Sequence, residues 1–158
     1  MRILVVSDTH GDDWALRRAV AEQPEAKLVF HLGDGVEEAL TVAEENPRRT
    51  FLIVRGNNDW RAGRSVPETG VYTAAEKRIF YTHGHRYDAK AGLYRLIGAA
   101  REQQADILLF GHTHAAMTDY DDGLYILNPG SLAYGHPGYG IIDITDAGIA
   151  MHTVRCRW

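Results

Sequence analysis

The stretch Ile107–His114, reading I-L-L-F-G-H-T-H, constrains this chain more than any other. Four apolar residues run into a glycine, and two histidines follow with one residue between them. The run is short and rich in branched residues, so it reads as a buried strand. Gly111 lets the backbone turn, and His112 and His114 leave the strand end together. Two imidazoles this close can chelate a divalent transition metal. Two surface histidines in a loop would read the same way, so the rest of the chain must decide.

The same pattern recurs. Ile3–Val6 runs into Ser7-Asp8-Thr9-His10-Gly11. Asp8 and His10 would face one side if the extended conformation reaches His10. Asp12 or Asp13 caps a helix from Trp14 to about Glu22, and Pro24 ends it. Lys27–Leu32 opens a second unit, followed by Gly33-Asp34-Gly35 and a helix over Val36–Glu45. Glycines on both sides of Asp34 permit a tight turn and the close approach of another group. The third unit runs from Thr50–Val54 into Arg55-Gly56-Asn57-Asn58-Asp59. Asparagine offers a neutral carbonyl ligand, and Asn and Asp are also good turn formers. His31 reads as a half-buried structural residue, Trp14 as a packing residue and Arg55 as a solvated side chain.

Trp60–Thr69 reads as a loop. Val71–Ala74 and Arg78–Thr82 read as paired strands around Ala75-Glu76-Lys77, and the second ends in His83-Gly84-His85. His83 is the nearer candidate ligand. His85 supports the ligands, faces a substrate or lies on the surface. Lys90–Gln104 has Leu93, Ile97 and Ala100 at helical spacing. After His114 the pattern changes to hairpins. Met117–Tyr120 and Leu124–Leu127 flank Asp121-Asp122-Gly123, and Tyr139–Ile144 and Ile149–Cys156 form another pair. No linker or repeat interrupts the chain, so a single domain is expected over residues 1–158.

A chain of 158 residues can bury a real core. A net charge of −4 argues against a strong nucleic-acid surface. Cys156 is the single cysteine, so no internal disulfide can form, which suits a reducing cytoplasm. The opening apolar run is too short for a signal-peptide core or a membrane span. A cytoplasmic protein without a membrane partner is therefore expected.

In strand–helix–strand units the strands run parallel and their carboxyl ends share one rim, where ligands bind. Asp8, His10, Asp34, Asn57, His83, His112 and His114 all follow apolar strands. Turn chemistry alone does not explain metal-capable groups at five separate strand ends. Seven O and N donors exceed what one tetrahedral zinc takes. Two metals sharing a carboxylate fit better, and Asp34 is the natural bridge.

Asp8-Thr9-His10, Gly33-Asp34, Gly56-Asn57-Asn58-Asp59, His83-Gly84 and Gly111-His112-Thr113-His114, in that order, resemble the calcineurin-like metallophosphoesterases. The small size, His83-Gly84-His85 and Asn128-Pro129-Gly130-Ser131 resemble the compact YfcE-like phosphodiesterases. The resemblance implies a four-layer α-β-β-α sandwich with a dinuclear metal site at the strand carboxyl ends. It implies one metal on Asp8, His10, Asp34 and His114, and a second on Asn57, His83, His112 and the shared Asp34. The implied reaction is hydrolysis of a small phosphodiester by two divalent ions and a bridging hydroxide. Manganese leads the expected metals, with iron, nickel or zinc as others. The wider family often has His where this chain has Asn58, and that His is thought to protonate the leaving group. Asn cannot, so Asn58 and His85 are the catalytic candidates whose roles the sequence leaves open. A phosphomonoesterase is the alternative. A scaffold resembling a retromer subunit is a further one, and the complete ligand set speaks against it. A homo-oligomer is also open.

Overall fold

The computed structural model describes residues 1–158, the side chains of residues 63 and 64 excepted. Its strands form two five-stranded mixed sheets. The first has the order β10-β9-β1-β2-β3, from β1 (Arg2–Val6), β2 (Leu28–His31), β3 (Thr50–Ile53), β9 (Gly138–Thr145) and β10 (Gly148–Arg155). The second has the order β4-β5-β6-β8-β7, from β4 (Thr69–Ala74), β5 (Lys77–Thr82), β6 (Ile107–Leu109), β7 (Met117–Asp121) and β8 (Leu124–Asn128). β1, β2 and β3 are parallel, as are β5, β6 and β8. β9 runs antiparallel to β1 and β10 antiparallel to β9, while β4 and β7 run antiparallel to β5 and β8.

Alternation within each strand sets the layers. Ile3 and Val5 of β1 pack with Phe30, Ile79, Tyr81, Ile107 and Leu109 in an apolar layer between the sheets. Leu4 and Val6 point the other way, toward α1 (Asp13–Glu22) and α2 (Val36–Glu45). Phe80, Leu108 and Phe110 meet Leu96 and Ala100 of α3 (Tyr94–Glu102) on the far face of the second sheet. The result is the α-β-β-α sandwich.

Several local expectations change. Asp12 is the N-cap of α1, its side chain accepting from the Ala15 N–H. α3 begins at Tyr94 rather than Lys90, after Gly92 at φ 148°, and its buried face centres on Leu96 and Ala100. Trp60–Ser65 is a 3-10 turn rather than plain loop. Trp14 is 54% exposed, with the ring edge of Trp158 at 5.3 Å between centroids and the Arg18 guanidinium 5.9 Å from its own centroid, so it packs at the surface and is not a core residue. His31 is fully buried, not half-buried. Arg55 is not simply solvated: its guanidinium lies 3.0 Å from Glu68, which also pairs with Arg86 at 2.8 Å.

Candidate metal centre

The carboxyl ends of β1, β2, β3, β5 and β6 meet along one edge of the sandwich. There the chain takes a conformation that L-residues avoid. Asp8, His10, Asp34, His112 and His114 all have positive φ, between 45° and 64°. Non-glycine residues in this region are uncommon. Each costs on the order of 1–3 kcal/mol, and such residues cluster at functional sites. Extended backbone therefore does not persist to His10. Asp8 and His10 converge because both turn through left-handed backbone, which strand alternation could not reveal.

Backbone bonds lock these turns. The Asp8 N–H donates to the Gly33 carbonyl at 2.9 Å, and the His10 N–H to the Asp34 carbonyl at 2.9 Å. The Gly111 N–H donates to the His83 carbonyl at 3.0 Å. Glycine at position 111 is needed for close approach more than for turning: a Cβ there would collide with the Ser7 hydroxyl. A Cβ on Gly56 would collide with the Asp34 carboxylate in the same way.

Two groups of side chains place one ligand atom each within 4.8 Å of one another: Asp8, His10 and His114, and Asp8, Asp34 and His83. His114 Nε2 lies 3.1 Å from Asp8 Oδ1 and 3.4 Å from His10 Nε2. Asp34 Oδ2 lies 3.9 Å from His10 Nε2 and 3.5 Å from His83 Nε2. His83 Nδ1 sits 2.8 Å from the Leu32 carbonyl, to which only an N–H can bond, so in the neutral ring Nε2 presents a lone pair. That lone pair faces Asn57 Oδ1 at 3.2 Å as well as Asp34. Electron-pair donors thus outnumber the protons between them, and this donor set fits divalent cations.

The remaining candidates lie alongside. The His112 N–H donates to Asp8 Oδ2 at 3.1 Å, and its ring meets His83 edge-on with centroids 4.9 Å apart. Burial, with His83 adding to it, pushes the His112 imidazole down to about 4. It is neutral at pH 7 and free to coordinate. The His85 ring is 5.4 Å from His83 and 6.2 Å from His112. Its Nδ1 is buried without a partner among the described residues, and burial lowers its pKa. Asn58 donates to Asp34 twice, from its N–H at 2.8 Å and from Nδ2 at 2.5 Å.

Several supporting residues were not legible in the sequence. The Asp59 carboxylate accepts four backbone N–H groups, from Asp34, Gly35, Val36 and Gly56, at 2.6–3.0 Å. Burial opposes its charge, but the four donors prevail and its pKa is lowered. In sequence Asp59 is one more turn residue; its role depends on β2 and β3 lying side by side. Buried Asn128 donates to the Gly111 carbonyl at 2.9 Å, and the Ser131 hydroxyl donates to the Asp8 carbonyl at 2.9 Å. The polar turn Asn128–Ser131 was the visible signal for that pair. Buried His31 accepts from the Gly33 N–H at Nδ1, so Nε2–H donates to Thr9, whose hydroxyl donates to Glu38. Burial keeps this imidazole neutral by lowering its pKa. Tyr134 lies 4.8 Å from the His10 ring and stacks on His114 at 5.9 Å, and no sequence pattern announced it.

Two facing sheets with imidazoles and carboxylates gathered at their shared edge define a metal-binding α/β protein. Residues 1–147 match the calcineurin-like phosphoesterase superfamily domain, and the chain belongs to that family. It is 35% identical over 133 residues to the probable metallophosphoesterase YsnB of Bacillus subtilis, covering 84% of this chain and 75% of that one. It is 27% identical over 165 residues to the phosphodiesterase MJ0936 of Methanocaldococcus jannaschii, covering 90% and 93%. The vacuolar protein sorting-associated protein 29 of Schizosaccharomyces pombe is 29% identical over 148 residues, covering 90% and 78%. Among solved structures, an uncharacterised phosphoesterase-like protein of Streptococcus pneumoniae superposes with a TM-score of 0.82. It has 29% identity and covers 98% of this chain and 88% of that one.

Proposed function

We propose that this chain is a dinuclear, metal-dependent phosphodiesterase acting on a small phosphodiester. The observation that carries the reading is the position of Asp34 Oδ2, within 3.9 Å of His10 and 3.5 Å of His83. One carboxylate oxygen thereby reaches a histidine from each half of the cluster, as a shared ligand must. On this reading Asp8, His10, Asp34 and His114 hold one ion, and Asn57, His83, His112 and Asp34 hold the other. The mixed oxygen and imidazole donors suit manganese, with iron, nickel or zinc as substitutes. When bound, the two ions would lower the pKa of water to about 7, supplying hydroxide at neutral pH, and would neutralise charge developing on the phosphoryl oxygens.

The chain's own groups do the rest. Asn58 holds Asp34 by two hydrogen bonds and has no proton to give as an acid. It therefore positions the shared carboxylate while leaving departure of the alcohol unassisted at that point. His85 is the substrate-facing imidazole. Position 58 favours diesters with acidic leaving groups. The name of the M. jannaschii relative supports the diesterase over the monoesterase reading. A scaffold would not need seven donors gathered at one edge, five of them held in strained backbone. Among the described residues no helix is long and apolar enough to cross a membrane. We assign the activity to one domain over residues 1–158, in a reducing compartment such as the cytoplasm.

The test is chelation followed by reconstitution with manganese. Elemental analysis should find about two ions per chain, as a two-metal site requires. Hydrolysis of aryl and alkyl phosphodiesters should return with the metal, exceed that of the matching monoesters, and fall steeply as the leaving-group pKa rises. Missing acid catalysis is worth about 10²–10⁴-fold, so the slope should be plain. A monoester preference would replace the diesterase with the monoesterase. Two bound ions without hydrolysis would favour the scaffold.

A further inference from the structure

A cavity of about 260 Å³ opens off the carboxylate–imidazole cluster. His10, Asp34 and Asn58 line it on the cluster side, and Trp60, Arg61 and the start of α2 complete it. Trp60 is 72% exposed and stands directly after the Asn57-Asn58-Asp59 turn. The Arg61 guanidinium lies 4.8 Å from the centroid of its ring. An indole kept in water forgoes the stabilisation that burial would bring, and a cation against its ring holds it in place. The cavity has room beside it for a ring system.

Charge narrows the ligand. Glu37 and Glu38 also line the cavity. Glu38 Oε1 already accepts from the Thr9 hydroxyl at 2.8 Å and from the Gly11 N–H at 2.6 Å. No such bond reaches Glu38 Oε2 among the described residues. A carboxylate oxygen only accepts, so this wall repels a second phosphate and welcomes an amino group. We infer that the cavity takes the nucleoside arm of a phosphodiester, its base stacked on Trp60 and its exocyclic amino group at Glu38. This rests on the phosphodiesterase reading, with the phosphorus at the cluster.

The probes are adenosine 5′-monophosphate, inosine 5′-monophosphate and methyl phosphate, added to the manganese-loaded protein. Binding is read twice, as inhibition of bis(p-nitrophenyl) phosphate hydrolysis and as quenching of tryptophan fluorescence. Base–aromatic stacking predicts that the adenosine probe binds about tenfold or more tighter than methyl phosphate. The inosine probe, lacking the amino group, should fall between. Trp60→Ala should bring the adenosine probe down to the level of methyl phosphate. Trp60→Phe should keep most of the preference while losing the quench, which shows that the signal comes from Trp60 and that the fold is intact. Equal binding of all three probes to the wild type would overturn the inference, as would a preference that survives Trp60→Ala. A wild type that prefers the adenosine probe yet hydrolyses no diester would sink the phosphodiesterase reading and leave the nucleotide cavity standing.

Discussion

The edge of the sandwich and the layer between its sheets are built on opposite terms. Between the sheets Phe30, Ile79, Ile107, Leu109 and Leu127 are fully buried and apolar, and Phe30 meets the Tyr81 ring edge-on at 4.9 Å. At the edge Asp8 and His83 are equally buried but polar, and five candidate ligands sit in left-handed backbone. The first region follows what each residue prefers. The second holds residues against their preferences, which is possible only because the first is stable. The comparison teaches that stability and activity here reside in different residues.

The sharpest way to break that division is Asp34→Ala. If Asp34 is shared, its loss should cut hydrolysis by more than about 100-fold, the ceiling for losing a merely supporting contact. Bound metal should fall from about two ions per chain. Unfolding of the metal-free variant should change by only about 1–3 kcal/mol, since the hydrogen bonds lost from the Asp34 carboxylate are the two from Asn58. Unchanged metal content would remove Asp34 from the site.

Phe30→Ala is the converse. Emptying a fully buried aromatic position should cost about 3–5 kcal/mol in denaturant unfolding. The surviving folded protein, assayed well below its melting temperature, should keep most of its hydrolysis rate. A variant of normal stability, or one folded but inactive, would show that the two regions are not separable.

Asp59→Asn probes the seam between them with the smallest expected effect. An amide cannot replace a carboxylate for four N–H donors, so about 1–3 kcal/mol should be lost at pH 7. The pH dependence follows from the lowered pKa of Asp59. Its contribution is present above the unfolded carboxylate value of about 4 and is lost as pH falls through the lower folded value. Wild type and variant should therefore converge in stability in acid and reach their full, constant separation above about pH 4. Parallel pH profiles would mean the carboxylate is not the group that matters.

Much of the site was legible because turn chemistry and ligand chemistry use the same few residue types at strand ends. Asp8, Asp34, His83 and His112 each follow a short apolar run, and that proximity survives whatever the sheet order turns out to be. The bonds that tie one strand end to another were not legible, even where the residue itself stood in a visible polar turn. Asp59 serves the turn after β2, Ser131 the turn after β1, and Tyr134 covers His10 and His114. Each lies far in sequence from what it supports.

By itself the sequence determined the units: apolar strands of four to six residues, helices between them, and metal-capable groups at the carboxyl end of each. Those features depend on neighbours one to four positions apart. Only the tertiary structure decided that β1–β3 and β5–β6 belong to different sheets, that β9 returns to pair with β1, and that Asp8, His10, Asp34, His112 and His114 turn through positive φ. The physical reason is that strained backbone and buried polar side chains have no stability of their own. They persist only where bonds from distant strands hold them, and those partners exist only once the chain has folded.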